Sequence, residues 1–240
     1  MPNRVTYAII PAGGIGKRMQ SQNPKQFLTL FDEPILLHTV KALAKTGLIQ
    51  KFIIPSVDVV YTKKILKHLG DDIDFIISKS GKTRQESVGN ALDELKKLGE
   101  KPEFILIHDA VRVLVQEQTV IDVINKAKEK GAAVAARPVS DTLKLSHQDE
   151  EGNILIKKNV SRDLLWQTQT PQVFATDILY EAYEKAREDC FLGTDSAGLV
   201  ERIDKDVYLV ESPQSNIKIT TPEDLELVKQ YMRSRKSDLK

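Results

Sequence analysis

The sequence predicts a doubly wound α/β fold with a mostly parallel sheet and an inserted β-hairpin arm. Three observations predict it. Short apolar runs rich in β-branched residues recur along the 240 residues. Amphipathic stretches of helical period separate them. The strand candidates are apolar on both faces, as in a sheet covered by helices on each side. Right-handed crossovers between such strands complete the fold.

The first strand candidate, 5–10, ends in a glycine-rich loop. A helical pattern over 35–44 places Ile35, Leu36, Val40, Leu43 and Ala44 near one face. Strands at 51–56, 75–77, 104–107 and 133–136 alternate with helices at 62–69, 85–98 and 118–128. A helix at 176–187 and a late strand at 207–210 follow. Thr221-Pro222-Glu223-Asp224 carries a cap, a first-turn proline and two acids, which start a helix. The charged tail 233–240 reads as a frayed helix end. Between 143 and 165 the alternation changes to that of strands flanking a polar turn at 148–153, a hairpin. A projecting hairpin is marginal alone, so it needs a partner surface. A second copy of the chain is favoured over the hairpin's own domain.

Composition fits one domain over 1–240, with the arm at about 141–165. The chain is 41% hydrophobic and 29% charged, with a formal charge of +1. No global field points to nucleic acid or to a membrane. Cys190 is the single cysteine, which excludes an internal disulfide and a multi-cysteine metal site. It reads as an inert, partly buried thiol in a reducing cytoplasm. No run is long enough to span a bilayer, and the N-terminus lacks a signal-peptide layout.

The chemistry gathers at the predicted strand ends, where ligands bind in such folds. Pro11-Ala12-Gly13-Gly14-Ile15-Gly16-Lys17-Arg18 follows the first strand. Backbone so bare brings its N–H groups close to an anion, and Lys17 and Arg18 add charge there. The spacing matches neither G-x-G-x-x-G nor the P-loop, so a solvated glycine turn is the alternative. Lys25, set by Pro24, supplies a third cation able to converge on one polyanion. Asp109 ends the strand 104–107 and is a candidate Mg²⁺ ligand or the cap of a following helix. His108 reads as packing or hydrogen bonding. Arg112 would hold a phosphate or pair with a surface carboxylate. At 81–87, Gly81 and the Ser87 hydroxyl would bond a base, or the segment is simply a capped helix start. Thr168-Gln169-Thr170-Pro171-Gln172 reads as a polar turn, and Lys218 as part of a short strand.

Taken together, and in order, these residues resemble the 2-C-methyl-D-erythritol 4-phosphate cytidylyltransferases. The landmarks run through Pro11–Gly14, Arg18-Met19, Pro24–Gln26, Arg84, Ser87-Val88, His108–Ala110, Arg112, Asp141-Thr142, Lys144, Arg162, Trp166, Gln169–Gln172, Thr194-Asp195, Asn216–Lys218 and Pro222–Leu225. The resemblance implies a Rossmann-like nucleotidyltransferase that joins CTP to a polyol phosphate and releases pyrophosphate. It implies that Arg18, Lys25 and Lys218 stabilise the reacting phosphorus and that Asp109 holds Mg²⁺. Ala12, Gly13, Gly14, Gly16, Lys17, Gly81 and Ser87 would bind CTP. Arg112, Thr170 and Thr194 would face the sugar phosphate, with Thr142 and Arg162 reaching a partner's site from the arm of a homodimer.

Three places in the chain depart from the family pattern. Gly13 replaces a usual alanine. Ser80-Gly81-Lys82-Thr83 replaces a Gly-Gly-Asp/Glu start, putting a cation near the expected base site. Val113 replaces a proline, which loosens the turn after Arg112. Ribitol-5-phosphate cytidylyltransferases share the loop and much else, but 162–166 and 191–195 look more like the methylerythritol enzymes. A non-catalytic nucleotide binder would have no reason to keep Lys25, Asp109 and Lys218 together.

Overall fold

The computed structural model describes residues 5–14, 19, 23–70 and 72–237. The first half alternates strand and helix. β1 (Thr6–Ile9) leads through a 3-10 turn at Lys25–Phe27 and the small pair β2 (Thr29–Leu30) and β3 (Glu33–Pro34) to α1 (Ile35–Ala44). β4 (Lys51–Ser56), α2 (Val59–Leu66), β5 (Phe75–Lys79), α3 (Arg84–Lys97), β6 (Phe104–Ile107), α4 (Glu117–Lys130) and β7 (Ala132–Pro138) follow. The second half comprises β8 (Leu143–Gln148), β9 (Ile154–Val160), β10 (Trp166–Ala175), α5 (Thr176–Glu188), α6 (Ser196–Glu201), β11 (Tyr208–Glu211) and α7 (Pro222–Ser237).

Seven strands form one sheet in the order β11-β7-β10-β6-β1-β4-β5. The pairs β1–β4, β1–β6, β4–β5 and β7–β11 are parallel. The predicted doubly wound class is therefore observed. Its physical basis is the period of two along each strand. Ala8, Phe52, Ile54, Phe104 and Leu106 face α1, α2 and α4, whereas Ile9, Ile53, Ile105 and Ile107 face α3, α5 and α6. A third cluster places Val111, Val113 and Leu114 against Ile219 and Val228. Val113, read as loosening its turn, is 6% exposed, so packing holds that turn where a proline usually would.

β10 corrects the reading of residues 168–172 as a polar turn. It runs antiparallel between β6 and β7. Its register against β7 jumps between Thr168 and Gln172, so Gln169–Pro171 bulge off the ladder, as at many sheet edges beside active sites. The polarity of Gln169 and Thr170 hides the strand, because both side chains serve a buried network. Lys218 is a second correction. It lies in an irregular segment after β11 that joins no ladder; the backbone is held there by Ile219 N–H donating to the Val111 carbonyl at 3.0 Å. Cys190 is a third: it is exposed, because the chain leaves α5 there in the left-handed region, at φ +50°.

The hairpin forms as β8 pairs antiparallel with β9 in a two-stranded sheet of its own. Its turn is built by Asp149, which accepts from the Glu151 and Asn153 N–H groups at 3.0 and 2.8 Å. Gly152, at φ +88°, takes the position a side chain would strain. Among the described residues, no helix is long and apolar enough to cross a membrane.

Candidate active site

The site lies beyond the carboxyl ends of β1, β4 and β6. Past β1, Ala12 N–H still donates to the Pro55 carbonyl at 2.8 Å. The Ala12 carbonyl accepts from buried Gln26 Nε2 at 2.6 Å, tying the glycine loop to the 3-10 turn that carries Lys25. At Gly13 the loop presses on the start of α3. A Cβ there would lie 2.4 Å from Ser80 Cβ and 3.2 Å from Ser87 Oγ. Two departures from the family pattern thus compensate: the side chain absent at Gly13 is present at Ser80. Gly81 is equally confined, its missing Cβ lying 2.2 Å from Glu86 Cβ.

The first turn of α3 is capped on both sides. Thr83 Oγ1 accepts the Glu86 N–H at 3.0 Å, and Glu86 Oε2 accepts the Lys82 N–H at 2.6 Å, a variant of the capping box. Ser87 Oγ accepts the Gly81 N–H at 3.0 Å and donates to the Thr83 carbonyl at 2.8 Å. A cavity of about 200 Å³ opens between these pieces, lined by Gly13, Gly14, Lys25, Gly81, Lys82, Arg84, Ser87, Asp109 and Lys218. Lys25 Nζ is braced by the Ile219 carbonyl at 3.0 Å.

A second cavity, about 190 Å³, adjoins the first and shares Arg84, Asp109 and Lys218 with it. Its other walls include Arg112, Gln169, Thr170, Gln172, Thr194 and Asp195. The shared wall is an ion cluster. Asp109 Oδ1 accepts from Arg84 Nε at 3.1 Å; Oδ2 accepts from Arg112 Nε at 3.2 Å and faces Lys218 Nζ at 3.0 Å. Burial alone would raise the Asp109 carboxyl, but the three cations outweigh it and hold it well below the usual carboxylate range. No helix follows directly for Asp109 to cap, since α4 starts after Gln116. Arg112 pairs with this buried acid and not with a surface carboxylate; its Nη1 also donates to the Asn216 carbonyl at 2.7 Å.

His108 supports the wall from behind. Its Nε2 faces the Arg112 carbonyl at 3.1 Å, so that nitrogen carries the proton. Nδ1 then accepts from Thr170 Oγ1 at 3.0 Å, and Thr170 Oγ1 accepts the Asp109 N–H at 3.0 Å. Burial pushes the imidazole down to about 4, which keeps this chain of bonds neutral. Asn216 Nδ2 bonds Gln169 Oε1 and the Thr170 carbonyl, both at 2.9 Å, fastening the Lys218 segment to the β10 bulge.

The expected residues divide clearly. Gly13, Gly14, Lys25, Gly81, Ser87, Asp109 and Lys218 meet at the first cavity; Arg112, Thr170 and Thr194 meet at the second. Ala12 lies just behind the first wall, 1% exposed. Thr142 and Arg162 are on the arm and line neither cavity. Gly16, Lys17 and Arg18 fall outside the described residues. Arg84 was a family landmark without a role, yet it lines both cavities. A signal existed: a cation in the first turn opposes the helix dipole, so its position needs another partner. A larger open depression, about 880 Å³, lies at the opposite end of the strands. Its charges are of both signs and pair with one another, as Lys96 does with Glu184.

Residues 6–234 match the family described as "IspD: 2-C-methyl-D-erythritol 4-phosphate cytidylyltransferase". The chain is 41% identical over 230 residues to the 2-C-methyl-D-erythritol 4-phosphate cytidylyltransferase of Syntrophus aciditrophicus, covering 94% of this chain and 95% of that one. It is 38% identical to the Bacillus cereus protein of that name, covering 95% and 98%. The crystal structure of the Thermus thermophilus protein of the same name superposes with a TM-score of 0.77 at 30% identity, covering 95% and 99%.

Proposed function

The chain belongs to the 2-C-methyl-D-erythritol 4-phosphate cytidylyltransferase family, and from that premise we propose that it joins CTP to 2-C-methyl-D-erythritol 4-phosphate. A phosphate oxygen of the acceptor attacks the α-phosphorus of CTP. The bond from that phosphorus to the bridging oxygen of the β-phosphate breaks, and pyrophosphate leaves. The observation that carries this reading is the pair of cavities sharing one charged wall. Each reactant takes one cavity, and they meet at Arg84, Asp109 and Lys218.

The residues act by position and charge. Gly13, Gly14, Gly81 and Ser87, with Ala12 behind them, hold the nucleotide; Gly16 and Lys17 complete the loop. Lys25, Lys218 and Arg18 stabilise the charge that gathers on the crowded phosphorus. Arg112, Thr170 and Thr194 receive the acceptor. Asp109 keeps Arg84, Arg112 and Lys218 from repelling one another, so the cations are aligned before either substrate arrives.

Mg²⁺ fits this donor set. The Asp109 carboxylate is a hard oxygen ligand kept ionised, and a single carboxylate suits an ion held mainly by substrate phosphates. When bound by Asp109, Mg²⁺ would supply charge neutralisation on the triphosphate oxygens.

We assign the arm to a homodimer, in the cytoplasm. Ile154, Ile156 and Leu164 are 75%, 67% and 90% exposed, apolar surface that a second copy would cover. Thr142 and Arg162, which line neither of their own chain's two cavities, would then serve the partner's acceptor cavity.

The test is pyrophosphate release from CTP and Mg²⁺ with each acceptor. Turnover with methylerythritol phosphate supports the reading. Turnover confined to ribitol 5-phosphate moves it to the ribitol enzymes, and CTP binding without turnover on any polyol phosphate leaves a nucleotide binder.

A further inference from the structure

We propose that Gln85 is a positioning residue for the acceptor half of the site, acting through its side-chain amide on the loop 191–193. The inference rests on the transfer reaction proposed above. Gln85 stands on the first turn of α3, and its amide spans the loop. Nε2 donates to the Phe191 carbonyl at 2.9 Å, and Oε1 accepts the Gly193 N–H at 2.8 Å. Donor and acceptor are each matched, so the amide has one productive orientation.

The next two residues of the loop, Thr194 and Asp195, both line the acceptor cavity. Downstream, Asp195 is fixed: Oδ2 accepts from Gln172 Nε2 at 2.8 Å, and Oδ1 caps α6 through the Gly198 N–H at 2.9 Å. Upstream, apolar burial does little of the holding. Leu192 is 65% exposed, and Phe191 is 38% exposed with its ring under the Arg202 guanidinium at 4.4 Å. The Phe191 N–H donates to the Ala186 carbonyl at 2.9 Å, and the Gln85 amide adds the side-chain tie that reaches from Phe191 to Gly193. It hangs from the same helical turn whose Arg84 bonds Asp109 and whose Ser87 bonds Gly81. One turn of helix therefore registers the acceptor wall against the nucleotide wall. Small misplacement of a positioning group is costly in a reaction run on orientation.

The experiment is steady-state pyrophosphate release by the full chain with the acceptor that the wild type uses. Wild-type turnover reports the proposed function; the ratio of variant to wild type reports this inference. Gln85→Met keeps the reach and removes both hydrogen bonds. It is expected to raise the KM for the polyol phosphate about tenfold, the scale of one to two modest hydrogen bonds, with the KM for CTP within about twofold. Gln85→Glu retains the acceptor for the Gly193 N–H and is expected to fall between Met and wild type. Melting temperatures within about 2 °C of wild type complete the expected result. A Met variant with an unchanged acceptor KM overturns the proposal, as does an equal rise in both KM values. So does loss of folding in either variant, which would make Gln85 a residue of the fold alone.

Discussion

The charged wall and the hairpin arm invert the usual placement of side chains in opposite senses. At the wall a carboxylate is 7% exposed and bonded to three cations; in the arm, isoleucine and leucine side chains stand in solvent. Buried charge and exposed apolar surface are the two informative exceptions to ordinary burial. Each needs something to complete it. The wall carries more positive than negative charge, which suits anionic substrates, and the arm carries apolar area, which suits a second protein surface. The contrast separates what the chain completes by itself from what it leaves to a ligand or a copy.

The largest expected effect breaks the wall. Asp109→Ala leaves Arg84, Arg112 and Lys218 facing one another, and the unfolding free energy in urea should fall by about 3–5 kcal/mol. A loss under about 1 kcal/mol would show that the cations relax into solvent and that the cluster is not under electrostatic load.

Lys25→Ala sharpens the distinction between charge that holds the fold and charge that serves the reaction. It should cost about 3 kcal/mol of transition-state stabilisation, read as kcat/KM for pyrophosphate release, with little change in melting temperature. Near-normal turnover would remove Lys25 from its assigned role.

The wall also predicts an acid response. His108 is neutral when folded, with its proton affinity pushed down by burial to about 4; unfolded, it titrates near about 6.5. Below that upper value the unfolded state binds the extra proton, so stability falls with pH at up to about 1.4 kcal/mol per unit until the folded imidazole also titrates. Asp109, held low when folded, adds a further loss at more acid pH. Denaturant midpoints measured from pH 7 to 4.5 should therefore decline, and His108→Gln should flatten the upper part of the decline. A slope unchanged in that variant would assign it to other groups.

The smallest effect on the single chain belongs to the arm. Ile154→Asp with Ile156→Asp touches no packed core, so intrinsic stability should change by less than about 0.5 kcal/mol. With the homodimer proposed above, sedimentation of the wild type should give a dimer and that of the double variant a monomer. A double variant that remains dimeric would place the interface elsewhere.

Much of the frame was legible. The runs at 51–56 and 104–107 became strands at those bounds because their side chains are apolar on both faces of the sheet. The helix starting at Pro222 followed from its cap, with Asp224 Oδ2 accepting the Thr220 and Thr221 N–H groups at 2.8 and 2.9 Å. β10 escaped because its polar half, Gln169 to Gln172, serves the site and not the core. Arg84 remained without a role because nothing local reveals a partner 25 residues away.

The sequence by itself determined the order of strands and helices apart from β10 and α6, the glycine loop at the first strand's end and the alternating arm. These rest on period, capping and backbone freedom, all properties of neighbours along the chain. Only the tertiary structure decided that Arg84, Arg112 and Lys218 converge on one buried carboxylate and that two cavities share it. It also decided that Ser80 fills the space Gly13 leaves open. Those outcomes depend on distance and burial in space, where electrostatic and packing energies are set, and residues far apart in sequence carry no local mark of meeting there.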